Sequence, residues 1–403
     1  SNVLVLTYWN YDDPLIQTYT LPYLRLISRR VRGTLFLVML ERDVGSISRE
    51  RRQKILDELR EDRIVPLLLR YRRFGTSAIV GWIYHIMRLA WFIRSHDVEV
   101  IHAWCTPAGA VGACLAKLTG RRLVLDSFEP HAQAMVENGT WRDGGAAFRI
   151  LFWMERWQAR RADALIGLVE DMKDYARRIY GVVDKPFWVK PALVDLATVP
   201  RMEETDRRRR REALGLQDKV VCVYAGKTGG IYYGRELFDL LKAAEGHWGG
   251  RFRALVLSPT PERELREYAR QSGLAEDTLI VRCVPHREVY SFMALADFAV
   301  NPVKPVPSKR YCTSIKDGEY WALGLPVVIP PGISDDSEII QTNRSGVIWE
   351  DTSPEGCKKA ILGIEELLRE PRAPLRERIQ AQAWRYRRMA LGEAVYDAVY
   401  GEA

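Results

Sequence analysis

The chain has 403 residues, a length that accommodates two domains of ordinary size. Hydrophobic residues make up 47% and charged residues 28% of it, and no apolar run reaches the roughly 18–20 residues of a membrane span. This composition is typical of a soluble globular protein and argues against a transmembrane helix. The six cysteines contain no C-x-x-C pair, which argues against a zinc site or a disulfide framework and favours a reducing compartment.

The net charge of +8 is unevenly distributed along the chain. Residues 1–190 hold 29 Lys and Arg against 21 Asp and Glu, whereas the remainder holds 31 of each kind. A positive first half attracts anionic partners such as acidic lipid headgroups, phosphorylated substrates or nucleic acid. Arginine enrichment on solvated surfaces is the alternative explanation, and the sequence contains no recognisable nucleic-acid-binding motif.

Strands and helices alternate through the first half of the chain. Apolar runs predict strands at 3–7, 33–40, 64–69, 98–103, 122–126 and 164–169, and helical periodicity predicts helices at 18–29, 48–61, 77–95, 109–118, 145–161 and 170–180. Strands separated by helices imply a parallel sheet with right-handed crossovers.

A proline-punctuated stretch at 185–200 leads to a second alternating region. Strands are expected at 220–224, 253–257, 279–282 and 298–301, and helices at 238–245, 262–272, 286–294 and 374–399. Five consecutive arginines at 207–211 lie between the two regions, and we expect them to form the solvated face of an exposed helix, with an anion-binding role as the alternative. The sequence therefore predicts two α/β domains joined by a linker near 190–215.

The segment around residues 70–92 suggests membrane contact but also fits an ordinary core helix. A basic segment at 70–74 (Arg-Tyr-Arg-Arg-Phe) precedes a helix rich in aromatic residues, a combination found in helices that lie in a lipid headgroup layer. An apolar helix packed on a parallel sheet has the same composition. We favour the core helix and keep the basic segment as the candidate lipid contact.

Residues 316–329 combine a polar loop, a short helix with one acid, a glycine turn and an apolar strand. Glu319 lies near the start of the predicted helix, residues 324–326 (Gly-Leu-Pro) end it, and 327–329 (Val-Val-Ile) are typical of a buried strand. A carboxylate placed there faces the crevice at the carboxyl ends of the strands, where open α/β folds bind ligands. It can accept a pair of hydrogen bonds from neighbouring hydroxyls of a sugar ring.

This segment resembles the signature of retaining glycosyltransferases of the GT-B fold, family 4. In that family a Glu, followed five residues later by Gly and then by a Pro-Val strand, holds the ribose of a nucleotide-sugar. The resemblance implies an α/β chain of two Rossmann-like domains whose parallel sheets face each other across a cleft. We expect an acceptor-binding domain at 1–195, a nucleotide-sugar-binding domain at 196–375 and, at 376–403, a C-terminal helix that packs back on the first domain.

A glycine-rich loop follows the first strand of the second domain. Gly226, Gly229 and Gly230 let backbone N–H groups approach a phosphate, and Lys227 adds a cation, although the loop matches neither a Walker nor a G-x-G-x-x-G pattern. A tight turn with an exposed lysine is the alternative. Family members carry a second basic residue a few positions on, which here points to Arg235 behind an intervening Ile-Tyr-Tyr.

Metal-independent catalysis is expected, because GT-A enzymes hold their metal with a D-x-D motif and this chain has none. Fixed cations must then stabilise the departing diphosphate, and Lys227 and Lys316 are the candidates. Lys316 and Glu319 share a helix face, so a mutual surface ion pair is the alternative. The resemblance also assigns Tyr320 to the donor site, and no cofactor beyond the donor sugar is expected.

One acid of the family motif is missing. The family has two glutamates eight positions apart, and counting back eight from Glu319 gives Tyr311. Because the first acid contacts the donor sugar, its loss leaves both sugar identity and the stereochemical outcome open. Asp317 and Ser314 are the candidate substitutes.

The loop after a first-domain strand carries the remaining candidates. The family places a functional histidine here, near the reacting sugar and the acceptor, and His131 occupies that position; it would orient the sugar or carry a proton. Glu129, Glu137 and Trp141 are candidates for the acceptor pocket, since an aromatic face can stack on a sugar. A structured surface loop is the alternative.

The sequence as a whole predicts a glycosyltransferase that moves a sugar from a UDP or GDP sugar to a glycan, lipid-linked or phosphorylated acceptor. We expect it to be retaining and cytoplasmic, at the inner face of the membrane, in bacterial surface polysaccharide or glycoconjugate synthesis. One rival is a nucleotide-sugar epimerase or hydrolase on the same fold. The other is a catalytically silent scaffold or regulator, suggested by Tyr311 at the first-acid position.

Overall fold

Two parallel sheets organise the chain, with helices in the crossovers between successive strands. The structure is a computed structural model that describes residues 1–13, 15–41, 48–70 and 76–401. The strands are β1 (Asn2–Leu6), β2 (Leu35–Glu41), β3 (Ile64–Arg70), β4 (Val98–Trp104), β5 (Arg122–Phe128), β6 (Ala164–Gly167), β7 (Phe187–Val189), β8 (Val220–Ala225), β9 (Phe252–Leu257), β10 (Leu279–Arg282), β11 (Phe298–Val300), β12 (Val327–Ile329) and β13 (Gly346–Ile348).

The helices follow the same alternation. They are α1 (Leu21–Ser28), α2 (Arg49–Arg60), α3 (Thr76–Ser95), α4 (Cys105–Thr119), α5 (His131–Glu137), α6 (Ala146–Arg161), α7 (Asp171–Tyr175), α8 (Glu204–Ala213), α9 (Arg235–Trp248), α10 (Glu262–Ser272), α11 (His286–Met293), α12 (Ile315–Ala322), α13 (Asp336–Thr342), α14 (Pro354–Leu368), α15 (Arg372–Arg387) and α16 (Ala390–Tyr400). A π-helical turn precedes α1 at Leu15–Thr20, and another follows α7 at Ala176–Tyr180.

The first sheet has the strand order β3-β2-β1-β4-β5-β6-β7, with parallel pairing throughout. Its central strands are continuous apolar runs because helices cover them; in β1, residues Val3–Leu6 are buried. The direction of winding reverses between β1 and β4. The loops that follow these strands therefore border a crevice at the carboxyl ends of the sheet.

The second sheet repeats this plan with six parallel strands in the order β10-β9-β8-β11-β12-β13. Buried aliphatic and aromatic side chains fill the core on both of its faces. Winding reverses between β8 and β11. The glycine-rich loop follows β8, so it lies beside this reversal point.

Two compact units make up the chain. The first comprises residues 1–136, 140–190 and 390–403, and the second comprises 137–139 and 191–389. The sequence-based boundaries were 195 and 376. The predicted α/β fold with two parallel sheets is confirmed, and the helix that returns to the first unit is α16, whereas α15 belongs to the second unit.

The long helix predicted at 374–399 is in fact two helices, α15 and α16. Arg388 is extended, with ψ 147°, and it forms a parallel bridge with Val194. The N–H of Val194 also donates to the carbonyl of Arg387 at 2.8 Å. Pairing with residue 194 therefore breaks the helix at a point where local helical propensity would continue it.

The arginine run in α8 is only partly solvated, so the prediction of an exposed face is wrong for two of its five members. Arg207 and Arg211 are buried, and each binds the Asp297 carboxylate, at 2.8 and 3.2 Å. Both also donate to main-chain carbonyls of residues 294–296 at the end of α11. The four-residue spacing places them on one helix face that packs inward.

Candidate functional site

The glycine-rich loop is held at the carboxyl end of β8 by main-chain and tyrosine contacts. The N–H of Gly226 donates to the carbonyl of Leu257 at 2.9 Å. The hydroxyl of Tyr224 donates to the carbonyl of Lys227. Gly229 and Gly230 have φ values of 78° and 63°, a left-handed conformation that glycine adopts without a steric penalty. The loop then leads directly into α9, whose first turn follows at residue 235.

Lys316 of α12 lies against this loop. A Cβ atom added at Gly226 would come within 2.5 Å of the Lys316 Cε, so any side chain at this position would displace the lysine from the loop. The Lys316 ammonium donates to the Tyr232 hydroxyl at 2.8 Å and lies 4.2 Å from the centre of the same ring. A fixed cation thus adjoins the main chain of a glycine loop, an arrangement that suits an anionic group.

Glu319 lies one helical turn after Lys316, and Tyr290 of α11 holds it. The Tyr290 hydroxyl donates to Oε1 of Glu319 at 3.1 Å. Burial and the neighbouring Glu319 carboxylate raise the pKa of Tyr290, so it remains a proton donor at neutral pH. Glu319 is half-buried, which leaves it accessible to a ligand hydroxyl.

A buried polar cluster holds the inward face of α12. Asp317 accepts a hydrogen bond from the Asn301 side chain at 2.8 Å, and Asp336 is bound by the Arg387 guanidinium. Burial, followed by the nearby Asp336 carboxylate, raises the pKa of Asp317 well above its usual range. Asp317 is fully buried, so it supports the helix and does not replace the missing acid of the motif.

The other predicted donor-site residues occupy different positions around the loop. Lys227 is exposed. Arg235 opens α9 and lies 3.8 Å from Asp239, with its side chain 58% exposed. Tyr320 is fully buried, and its hydroxyl accepts a hydrogen bond from the N–H of Ala225 at 3.1 Å. Tyr320 therefore supports the loop from behind.

His131 begins α5 in the first unit, beside Glu129. Its Nδ1 lies 4.0 Å from Oε1 of Glu129, and both side chains are about one-third exposed. The buried Glu155 accepts hydrogen bonds from the N–H of Ala132 and from the Tyr180 hydroxyl, both at 2.7 Å. Burial raises the pKa of Glu155 to about 7. The start of α5 is thus fixed by a carboxyl group that titrates near neutrality.

The two remaining acceptor candidates, Glu137 and Trp141, belong to different compact units. Glu137 groups with the second unit, where its carboxylate accepts a hydrogen bond from the N–H of Ser308 at 3.0 Å. Trp141 belongs to the first unit, where its main-chain N–H donates to the main-chain carbonyl of Met135 at 3.0 Å. Residues 71–74, four of the five residues of the predicted lipid-contact segment, lie outside the described residues.

Sequence reasoning missed a charged cluster at the carboxyl ends of β4, β5 and β7. Asp126 accepts from His102 at 3.0 Å and from the Tyr396 hydroxyl at 2.8 Å, and it lies 3.2 Å from the Lys190 ammonium. Burial alone would raise the pKa of Asp126, but Lys190, His102 and Tyr396 together lower it to about 2. The signal in the sequence was a polar or charged residue within or directly after an otherwise apolar strand, namely His102 in β4, Asp126 in β5 and Lys190 after β7.

The Lys190 ammonium is enclosed by aromatic rings. It lies 3.7 Å from the centre of the Tyr23 ring and 5.4 Å from those of Tyr19 and Trp104. Burial lowers the pKa of Lys190, and the Asp126 carboxylate opposes that shift. This cluster joins α16 to the centre of the first sheet.

The described residues contain no group of three or more His, Cys, Asp or Glu side chains arranged to hold a metal ion. None of the helices they form combines the length and the apolar character needed to cross a bilayer.

Residues 18–191 match the glycosyl transferase 4-like domain. This match covers most of the first unit and includes His131, Glu129 and Trp141. No curated relative matches the chain in sequence.

Solved structures similar over the whole chain share its fold. HepE of Anabaena, in complex with UDP-glucose, is 14% identical with a TM-score of 0.73 and complete coverage of both chains. Sucrose-phosphate synthase of Thermosynechococcus elongatus is also 14% identical, with a TM-score of 0.73 and coverage of 100% of this chain and 98% of that one. WaaG, a glycosyltransferase involved in lipopolysaccharide biosynthesis, is 12% identical, with a TM-score of 0.69 and 99% coverage of both.

Proposed function

Given a glycosyl transferase 4-like domain at residues 18–191 and a GT-B fold throughout, we propose that this protein transfers a sugar from a nucleoside diphosphate sugar. The observation that carries the proposal is the packing of Lys316 on Gly226, with Glu319 one turn further along the same helix. A cation beside a glycine loop suits a diphosphate, and a nearby carboxylate suits the hydroxyls of a ribose; both support the proposal.

The donor is proposed to be a UDP-sugar. HepE, which has the same fold, holds UDP-glucose, and the loop and α12 supply the two kinds of group that such a ligand needs. Glu319 accepts hydrogen bonds from the ribose hydroxyls, and Lys316 and Lys227 neutralise the diphosphate. As the sugar–phosphate bond breaks, the leaving diphosphate gains negative charge, which these fixed cations stabilise without a metal ion.

The acceptor is proposed to be a glycan, lipid-linked or phosphorylated, bound by the first unit. The excess of positive charge in residues 1–190 supports an anionic acceptor. His131, beside Glu129 and fixed through Glu155, is proposed to contact the reacting sugar. Transfer would retain the anomeric configuration and occur on the cytoplasmic side of a bacterial membrane, in surface polysaccharide or glycoconjugate synthesis.

Calorimetric titration of UDP, GDP, ADP, TDP and CMP, with and without a chelator, tests the donor site. We expect UDP to bind equally well in both conditions. Glu319→Ala should weaken binding by roughly tenfold or more, since it removes charged hydrogen bonds worth about 1.5–3 kcal/mol. Glu366→Ala, which removes an exposed glutamate of α14, is the matched control and should bind UDP as the wild type does.

Three outcomes contradict the proposal. Glu319→Ala with undiminished UDP affinity removes the ribose assignment. Failure to bind any of the nucleotides favours a catalytically silent scaffold. Turnover of the donor at the same rate without any acceptor favours an epimerase or hydrolase, and NMR of the transferred sugar separates retention from inversion.

A further inference from the structure

Helix α3 presents a large apolar stripe to solvent. Ile83, Tyr84, Met87 and Trp91 are all exposed, and Trp91 is 68% exposed. Their spacing places them within one arc of the helix, whereas His85, Leu89 and Ile93 on the opposite side are buried. The prediction of a plain core helix is therefore correct for one face of α3 only.

Helix α6 presents a matching stripe. Ile150 and Trp153 are exposed, Trp153 at 60%, and the Trp153 ring stacks on that of Trp157 with centroids 5.8 Å apart. Arg149 and Arg160 are exposed on the same arc of the helix. Helix α4 packs against both α3 and α6, so the three helices form one layer on the first unit.

This layer concentrates the exposed apolar surface of the chain. Thirteen large hydrophobic side chains are exposed among the described residues, and seven of them lie on α3, α4 and α6. Scattered exposed hydrophobic residues need no explanation, but a group gathered on adjacent helices marks an interaction site. We call this layer the three-helix face.

The charges on the three-helix face have one sign. Helices α3, α4 and α6 carry seven Lys and Arg residues and a single acid, Glu155, which is buried. By contrast, the exposed helix α10 of the second unit alternates acids and bases. A surface with exposed tryptophans and only basic charges complements an anionic layer with an apolar interior.

We propose that the three-helix face docks on an anionic lipid bilayer, with Trp91 and Trp153 in the headgroup region. Tryptophan suits that position because its ring is apolar while its N–H reaches a polar partner. Arg149 and Arg160 lie among the exposed apolar side chains of α6, where they meet lipid phosphates. This inference rests on the proposed transfer of a sugar to a lipid-linked acceptor. The docking itself does not depend on the donor site.

Flotation of the full-length protein with vesicles tests this docking. Protein should float with vesicles containing phosphatidylglycerol, remain behind with pure phosphatidylcholine, and dissociate as salt is raised. Trp91→Ser combined with Trp153→Ser should reduce the bound fraction by more than about tenfold, because the apolar contribution is lost. The control is Trp384→Ser, which removes a tryptophan that is 62% exposed on α15 in the second unit; it should float as the wild type does.

The basic side chains have their own matched pair of variants. Arg149→Gln combined with Arg160→Gln should weaken binding and flatten its salt dependence. Arg209→Gln combined with Arg210→Gln removes two exposed arginines of α8 in the second unit. This control should change neither the binding to vesicles nor its salt dependence. UDP binding is measured on every variant, so a failed donor site and a failed docking surface are seen separately.

Three results would overturn the docking proposal. The first is flotation that persists in the double tryptophan variant or is lost equally with Trp384→Ser. The second is binding to a soluble polyanion, such as heparin, that matches binding to the vesicles and ignores the tryptophans. The third is a dimer in light scattering that dissociates only in the double tryptophan variant, since a second copy would then cover the face.

Discussion

At the scale of single residues, Gly226 joins the glycine-rich loop to Lys316 in the proposed donor site. Replacement by alanine would place a Cβ 2.5 Å from the Lys316 Cε and displace that side chain. We expect Gly226→Ala to weaken UDP binding by roughly tenfold, about 1.4 kcal/mol. Gly273, at the end of α10 and outside the glycine-rich loop, also has a positive φ, and a Cβ there would meet no neighbouring atom. Calorimetry on Gly226→Ala and Gly273→Ala therefore separates backbone strain from displacement of Lys316. Equal losses in the two variants would argue against a role for Lys316.

Tyr290 is expected to influence the proposed donor site through its hydrogen bond to Glu319. Tyr290→Phe removes the hydroxyl that orients the carboxylate, so UDP affinity should fall roughly three- to tenfold. A 2′,3′-dideoxy analogue of UDP, which offers Glu319 no ribose hydroxyls, should bind wild type and variant alike. Tyr268→Phe removes a similar tyrosine–glutamate contact on α10 and serves as control. Equal weakening toward both nucleotides would instead indicate general damage to the fold.

Glu155 should make the stability of the first unit depend on pH. Its carboxyl titrates near 4.5 when unfolded and near 7 when folded, so the folded state binds more protons between these values. The stabilisation is fully present below pH 4.5 and is lost as pH rises through about 7, a change of about 3 kcal/mol. The glutamine in Glu155→Gln does not titrate. As pH rises across this window, the midpoint of thermal unfolding of the variant should therefore increase relative to that of the wild type. Parallel midpoints would disprove the shift.

At the scale of helices and strands, α16 completes the first unit. From this helix the Tyr396 hydroxyl donates to the Asp126 carboxylate, and the Tyr400 hydroxyl forms a hydrogen bond with Nδ1 of His102. Arg30, in the segment after α1, forms an ion pair with Asp397 of α16. Deletion of residues 390–403 would leave Asp126, His102 and Lys190 without these partners. We expect hydrogen exchange in β4 and β5 to increase strongly while exchange in β8 and β9 is unchanged. Uniform exchange in both sheets would show that α16 is dispensable.

Local pattern predicted most elements but not those fixed by distant partners. The apolar strands, the glycine loop and the Lys316–Glu319 pair follow from short runs of sequence, because strand burial and helix spacing are local properties. The break between α15 and α16 depends on residue 194, far earlier in the chain. Likewise, Tyr290 is 29 residues from Glu319, and no local pattern joins them. The inward arginines of α8 were missed because their partner, Asp297, lies in another element.

At the scale of the whole molecule, the two units differ in chain continuity. Except for 137–139, the second unit is one uninterrupted stretch with cores on both faces of its sheet, whereas the first needs residues from both ends of the sequence. A fragment of residues 191–389 should therefore unfold cooperatively and bind UDP. A fragment of residues 1–190 should not unfold cooperatively unless residues 390–403 are supplied as a peptide. Circular dichroism during heating measures both, and a cooperative transition of the first fragment alone would contradict this expectation.

The discontinuity of the first unit also has a consequence for synthesis on the ribosome. The whole of residues 191–389 must be translated before α16 exists, which takes on the order of 10–40 s at typical elongation rates. Throughout that interval the nascent first sheet carries Asp126, His102 and Lys190 without the helix that seals them. The later-made unit can thus finish folding before the earlier one, and the nascent chain is most exposed to chaperones and proteases at its first-made half.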